Sequence, residues 1–296
     1  MTLRTGALKR GNQSASLLGP QSDSAMPKSL ICHLNSTEES SVILSGAGVL
    51  EWRDISGNGI PMHFRQTTAA NQPQWGTKTI NGYTVLDWTG GSSSADTPHM
   101  YCANNTLQPV VSTKAGSRFW KGWHGGTSGG AGAAPGFTIF CVAQHDSTSG
   151  EVNSTRLYGA GDDGHTIDID NTGNAFIKTR VRDDVGGSTH TTITGTIVNQ
   201  NLTRVFTHRY TVSNTTTELI VNGVLDVSTT AERFWPNAGS TANYDHHALG
   251  SDGDAYRQNY NTPWRGSIAE YMFFDESLPD ATKTGIETAL MAKWGL

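Results

Sequence analysis

The sequence predicts an all-β fold, a two-sheet antiparallel sandwich closed by one short C-terminal helix. Three observations carry this. The chain of 296 residues has 34 glycines, 16% charged residues and 35% hydrophobic ones, the profile of many short strands joined by Gly, Ser, Thr and Asn turns. Apolar runs of strand length recur along it. Helical spacing stands out in one place, residues 265–296, which read as a strand, a turn and a helix.

Residues 1–27 are polar and small, with Gly11, Asn12, Gln13 and Ser14 and then Gly19, Pro20, Gln21 and Ser22. No periodicity holds there, so the segment reads as an extended or disordered arm, or one that orders only on a neighbouring subunit. The domain proper is 28–296. Within it, residues 115–136 hold a glycine-rich run at 125–132 and read as a long surface loop. The unbroken apolar run 137–143 predicts a central strand buried on both faces. Residues 174–181 and 205–212 predict two more strands. Asn222-Gly223 separates 218–221 from Val224 and Leu225, and Asn-Gly adopts the positive φ angles of a tight type I′ hairpin.

The last strand opens on Gly266 and runs through Ile268, Tyr271, Met272, Phe273 and Phe274. Asp275, Glu276 and Ser277 break it. Ser277 or Asp280 is placed to cap a helix, and Pro279 suits a first turn, where its missing N–H has no helical partner anyway. Thr282, Ile286, Ala289, Leu290 and Lys293 follow at helical spacing, and Gly295 sits where a C-terminal cap belongs.

Two segments carry a family resemblance. Gly266, Ile268, Ala269 and Glu270, followed by the helix and by Lys293, Trp294, Gly295 and Leu296, resemble the C-terminal end of the concanavalin A-like, laminin G-like jelly-roll family. Val49, Trp52, Asp54, Ser56, Gly57, Asn58 and Gly59 are similar to that family's opening motif, and Gln72-Pro73, Asn81-Gly82 and Leu86-Asp87 follow at about its spacing. The matches bracket residues 30–296 and imply a jelly roll. Variants of this kind are common among bacterial surface proteins and tailed-phage structural proteins. The family spans lectins, glycoside hydrolases and scaffolds, so the resemblance leaves the activity open.

Several classes are excluded. Net charge is −5 with no basic run, so nucleic acid is not an expected partner. No apolar stretch approaches the ~20 residues of a membrane helix. Cys32, Cys102 and Cys141 are odd in number and widely spaced, which predicts free, buried thiols in a protein assembled in a reducing cytoplasm. Arg4, Lys9 and Arg10 precede no apolar core, so no secretory signal is read at the N-terminus.

Candidate chemistry is sparse. Gly126, Ser128 and Gly130 fit the G-x-S-x-G pattern, but a nucleophile elbow needs a strand before it and a helix after it; this reads as a flexible loop. Asp168 and Asp170 alternate onto one strand face. The family's hydrolases carry an E-x-D-x-E-type triplet whose outer acids do the work. Here the outer positions are Thr166 and Asp170 in one register, and Asp168 and Thr172 in the other. Neither register supplies the carboxylate pair that glycoside hydrolysis requires, so no catalytic residue is assigned. Asp252 and Asp254, with Asp162 and Asp163, are the best oxygen clusters, and calcium is the one cofactor they would suit. Asp245-His246-His247 is a poor zinc site, because adjacent residues of an extended chain face opposite ways. Glu270 reads as structural, on the strand's less buried face or paired with a base.

Aromatic side chains carry the binding expectation. Trp120, Trp123, Trp235, Tyr256, Tyr260 and Trp264 fall in segments read as loops. Such rings stack on sugar C–H faces or anchor protein contacts; equally, they could plug the ends of the sandwich. The resulting expectation is a non-enzymatic phage virion protein, a capsid decoration, surface or tail-appendage subunit assembled in the host cytoplasm. Its partners would be other virion proteins, copies of itself and a surface glycan. The alternatives are a stand-alone carbohydrate-binding module and, behind it, a glycoside hydrolase using Asp168 and Asp170.

Overall fold

A computed structural model of the chain describes residues 26–57, 61–88, 98–102, 136–146, 155–160, 166–171, 175–182, 190–197, 201–214, 216–230, 247–251 and 264–296. The strands are β1 (Leu30–Asn35), β2 (Val42–Ser45), β3 (Gly48–Trp52), β4 (Phe64–Arg65), β5 (Gln74–Ile80), β6 (Tyr83–Asp87), β7 (Met100–Cys102), β8 (Phe137–His145) and β9 (Thr155–Ala160). They continue as β10 (Thr166–Asn171), β11 (Ala175–Arg182), β12 (His190–Thr194), β13 (Thr203–Thr211), β14 (Thr216–Val221), β15 (Val224–Thr230), β16 (His247–Leu249) and β17 (Gly266–Phe274). Among the described residues one α-helix, α1 (Asp280–Trp294), follows β17.

Pairing is antiparallel throughout and resolves into two layers. In the first, β15, β14, β13, β8 and β17 lie side by side. The far edge of β17 takes β1 and β6, with β5 beyond β6. In the second, the order is β2, β3, β4, β7, β16, β9, β10, β11, β12. This is the expected sandwich, a concanavalin A-like jelly roll with a C-terminal helix.

Two apolar clusters hold it. The larger lies between the sheets and joins Trp52, Phe64, Tyr158, Ile167 and Ile169 of the second layer to Ile139, Cys141, Phe206, Tyr271 and Phe273 of the first. The smaller lies between the first sheet and α1, with Phe140, Val142, Val205, Met272 and Phe274 against Leu278, Leu290 and Trp294. β8 therefore packs on both faces, which is why its sequence is apolar without alternation. The 222–223 turn has φ 49° at Asn222 and 74° at Gly223, the expected type I′ geometry.

A β-bulge shapes β17. Ile268 pairs with Ala143 and Glu270 with the next residue, Val142, so Ala269 is extra. The bulge reverses the alternation and brings Glu270 to the helix side, with Met272 and Phe274. At α1 one expectation is corrected. Neither Ser277 nor Asp280 caps the helix. Pro279 holds the N-cap position without a side-chain bond; Ser277 Oγ is instead paired with Thr211 Oγ1 at 2.7 Å, and Asp280 accepts from Arg209 at 2.6 Å. The buried side chains of α1 are Lys283, Glu287, Leu290 and Trp294, with Ile286 partly buried against the same cluster. Lys283 and Glu287 neutralise each other at 3.0 Å, and an ion pair made within the helix lets a charged stripe face the sheet. Gly295 does end the helix, at φ 71°.

Candidate functional site

Trp120, Trp123, Trp235, Tyr256, Tyr260, Asp252 and Asp254 lie outside the described residues, as does the 126–130 motif. The strand ends that flank them are described and fall at opposite ends of the sandwich. Cys102 and Phe137 flank the segment with Trp120 and Trp123, and Thr230 and His247 flank the one with Trp235; these four residues belong to one end, where His247 pairs with Cys102 and Phe137 with Tyr210. Ser251 and Trp264 flank the segment with Asp252, Asp254, Tyr256 and Tyr260 at the other end, beside His145.

Trp264 is placed in the core. It is fully buried in the inter-sheet cluster, its ring 5.1 Å from that of His145, and its backbone N–H donates to Gly250 O. Its place is that of an end plug. Asp168 and Asp170 lie on β10 as expected, Asp168 in register with Lys178 on one side and Arg156 on the other, and Asp170 with Phe176. Among the described residues no three His, Cys, Asp or Glu side chains are grouped to hold a metal ion. All three cysteines are buried and none is in a disulfide.

Inside the sandwich runs a polar chain. Tyr158 Oη and His208 Nδ1 are 2.6 Å apart, His208 Nε2 and Thr217 Oγ1 3.1 Å, and His247 Nε2 and Tyr271 Oη 2.6 Å. Burial pushes both imidazoles down to about 3, so they are neutral at physiological pH. Enclosed between sheets, they brace the core.

The family-like ends are braced in the same way. Asp54 accepts from the N–H groups of His33, Ser56 and Met62 at 2.8–2.9 Å, knotting the loop after β3. Glu270 accepts from Lys293 Nζ at 2.7 Å and Trp294 Nε1 at 2.8 Å, and pairs with His33 Nε2 at 2.8 Å. Burial alone would raise its pKa; the His33 hydrogen bond and the charges of His33 and Lys293 outweigh that and hold it below the ordinary carboxylate value. The expectation of a structural Glu270 paired with bases holds, although the residue is buried.

The exposed side of the second sheet differs. Glu51 on β3 lies opposite Arg65 on β4, and Arg65 opposite Tyr101 on β7; facing residues on adjacent strands bring their side chains together. Arg53, two residues along from Glu51, donates Nε–H to Glu51 Oε1 at 2.8 Å. Arg65 donates Nε–H to Glu51 Oε2. Burial opposes ionisation of Glu51, but the bonds from Arg53 and Arg65 and the charge of Arg65 prevail and hold its pKa down. Each guanidinium is anchored through Nε, and the Nη groups of both have no partner among the described residues. The side chain of Arg53 is 50% exposed and that of Arg65 30%, while Glu51 beneath them is 8% exposed. The ring of Tyr101 stacks on His99 with centroids 6.4 Å apart. Past Tyr101 the row continues into Ala248 and Gly159, both buried, so the accessible part is the Arg53, Arg65 and Tyr101 end. No sequence signal marks this group, because three separate strands contribute to it and its spacing follows from their pairing alone.

No protein-family model matches the chain, and no curated protein matches it. Solved structures do. The binding domain of Paraclostridial Mosquitocidal Protein 1 aligns at TM-score 0.54 and 12% identity, covering 88% of this chain and 52% of that one. The binding domain of Botulinum neurotoxin DC, in complex with rat synaptotagmin II, aligns at 0.53 and 12%, with the same coverage. The chain thus spans about half the length of these toxin binding domains. The Ruminococcus gnavus IT-sialidase CBM40 bound to alpha2,3 sialyllactose aligns at 0.42 and 18%, over 52% of this chain and 83% of that one. At such identities the likeness is one of fold.

Proposed function

We propose that the chain is a non-catalytic carbohydrate-binding module. The observation that carries this reading is the exposed row on the second sheet, where two anchored guanidiniums and a tyrosine ring stand on paired strands. Sugar recognition calls for an aromatic surface and a few fixed hydrogen-bond donors on a rigid scaffold. Arg held through Nε has lost its freedom before ligand arrives, which lowers the ordering cost of binding. The likeness of fold to toxin binding domains supports a recognition role over a purely architectural one. The virion role expected from the sequence draws no support from the comparisons; mounting on a particle would be a matter of where such a module sits.

The test is a glycan array probed with the full chain. Binding to a defined set of oligosaccharides, weakened at least tenfold by Tyr101→Ala with retained folding, would support the reading. Binding to none of them, or cleavage of a bound polysaccharide, would overturn it.

A further inference from the structure

We infer that the Arg53 and Arg65 pair is a receptor for the anionic group of an acidic sugar, a carboxylate or a sulfate ester. The inference rests on the carbohydrate-binding reading and adds the ligand's charge.

Glu51 is nearly buried, and each of its oxygens accepts one guanidinium Nε–H. Arg–carboxylate pairs are frequently bidentate, two parallel N–H groups meeting the two carboxylate oxygens. Here the carboxylate takes only the Nε–H of each arginine, and the Nη groups of both have no partner among the described residues. The three groups sum to one positive charge. Asp54, one residue beyond Arg53, is spent on the backbone N–H groups of His33, Ser56 and Met62. His63, whose Nδ1 accepts the Asp54 N–H, has its pKa lowered mainly by burial, against the pull of Glu51 and Asp54. It therefore brings no charge of its own near neutral pH.

A local positive site on a chain of net charge −5 favours anions at that point of the surface. Two oxygens of a carboxylate or of a sulfate can each accept from a guanidinium fork, and a point-charge lysine would not replace it. Tyr101, next in the row, supplies a ring beside the site for the sugar carrying the anion. A neutral glycan offers these donors hydroxyls but no opposite charge, so the pair should discriminate on charge.

The experiment compares three forms of one oligosaccharide backbone: neutral, carboxylated and sulfated. The full chain, Arg53→Gln/Arg65→Gln and Arg53→Lys/Arg65→Lys are each titrated by calorimetry, with circular dichroism confirming the fold. At least one anionic form should bind tenfold or more tighter than the neutral form. The Gln pair should erase that difference, dropping the anionic form at least tenfold to the level of the neutral one, and the Lys pair should recover only part of it. Preference for the carboxylated or the sulfated arm identifies the source of the anion. Equal binding of neutral and anionic forms, or an anion preference that survives the Gln pair, overturns the inference and leaves the carbohydrate-binding reading standing. Binding of no form by the full chain overturns both.

Discussion

Trp294 donates its indole N–H to Glu270 Oε2 at 2.8 Å, joining the last helix to the strand that begins the C-terminal motif. Lys293 reaches the same oxygen and also Asn35 Oδ1 at 2.9 Å. The two halves of the motif are thus one device: the bulge at Ala269 turns Glu270 toward the helix, and the terminal Lys and Trp close on it. His33 extends it, since its ring pairs with Glu270 while its N–H is held by Asp54 of the opening motif.

Glu270→Ala should therefore destabilise the fold by about 3–5 kcal/mol, because removing one member of a buried charged network leaves the others unpaired. Glu270→Gln keeps the shape and an acceptor and should lose less. Urea unfolding at neutral pH followed by tryptophan fluorescence measures both. A Glu270→Ala loss within about 0.5 kcal/mol, the range of ordinary surface changes, would contradict the account.

Gly266 is a second sensitive point. Its φ is 147°, and a Cβ placed there would lie 1.9 Å from Gln144 O. Gly266→Ala must push β17 away from β8 or abandon the strained dihedral. The effect should exceed the ~1 kcal/mol typical of Gly-to-Ala exchange and reach about 3 kcal/mol or more. Gly285→Ala on the helix meets open space and should stabilise by up to about 1 kcal/mol. The contrast between the two variants, measured by thermal melts, isolates the steric cause.

Stability should depend on pH on both sides of neutrality. His208 and His247 titrate near 3 in the folded chain and near 6.5 when unfolded. Between those values the unfolded chain binds protons that the folded one refuses. Their contribution is whole above about 6.5 and drains away down to about 3. Glu270 and Glu51, held below the ordinary carboxylate value, add a loss as pH falls through their depressed range. On the alkaline side burial, aided by the charge of Asp54, raises Cys102 to about 12. The unfolded thiol ionises first, so stability should fall above roughly 8.5. Denaturant midpoints should trace a plateau bounded by these limits, and His208→Gln should flatten the acid limb by about one proton. An acid limb unchanged in that variant would show that His208 does not carry it.

The strands and the helix end were readable because their determinants are local. The 137–143 run, the Asn222-Gly223 turn, the strand from Gly266 to Phe274 and the Gly295 cap each depend on neighbours within a few residues. On the helix, Leu290 and Ile286 pack on the sheet as their spacing implied; the burial of Lys283 and Glu287 was not legible, because their charges cancel and an apolar pattern registers only hydrophobicity. The arginine row was invisible for a different reason. Glu51, Arg65 and Tyr101 come together through the pairing of β3, β4 and β7, whose register is set by burial of the opposite face in Trp52, Phe64, Met100 and Cys102. A site assembled as the unburied side of a core leaves no spacing of its own in the sequence.

Trp264 tests whether a core aromatic can be separated from a binding one. Its ring fills the end of the inter-sheet cluster against His145. Trp264→Ala should create a cavity and destabilise by about 3–5 kcal/mol, whereas Trp264→Phe, which retains most of the apolar volume, should lose distinctly less. If the residue contributes only packing, the Phe variant binds glycan with unchanged affinity at a temperature where it is fully folded, and any loss in the Ala variant follows its unfolded fraction. A Phe variant that melts normally yet binds at least tenfold more weakly would assign the ring to ligand contact after all. Tyr101→Ala supplies the opposite pattern: a partly exposed ring whose removal should shift the melting midpoint little and the affinity strongly.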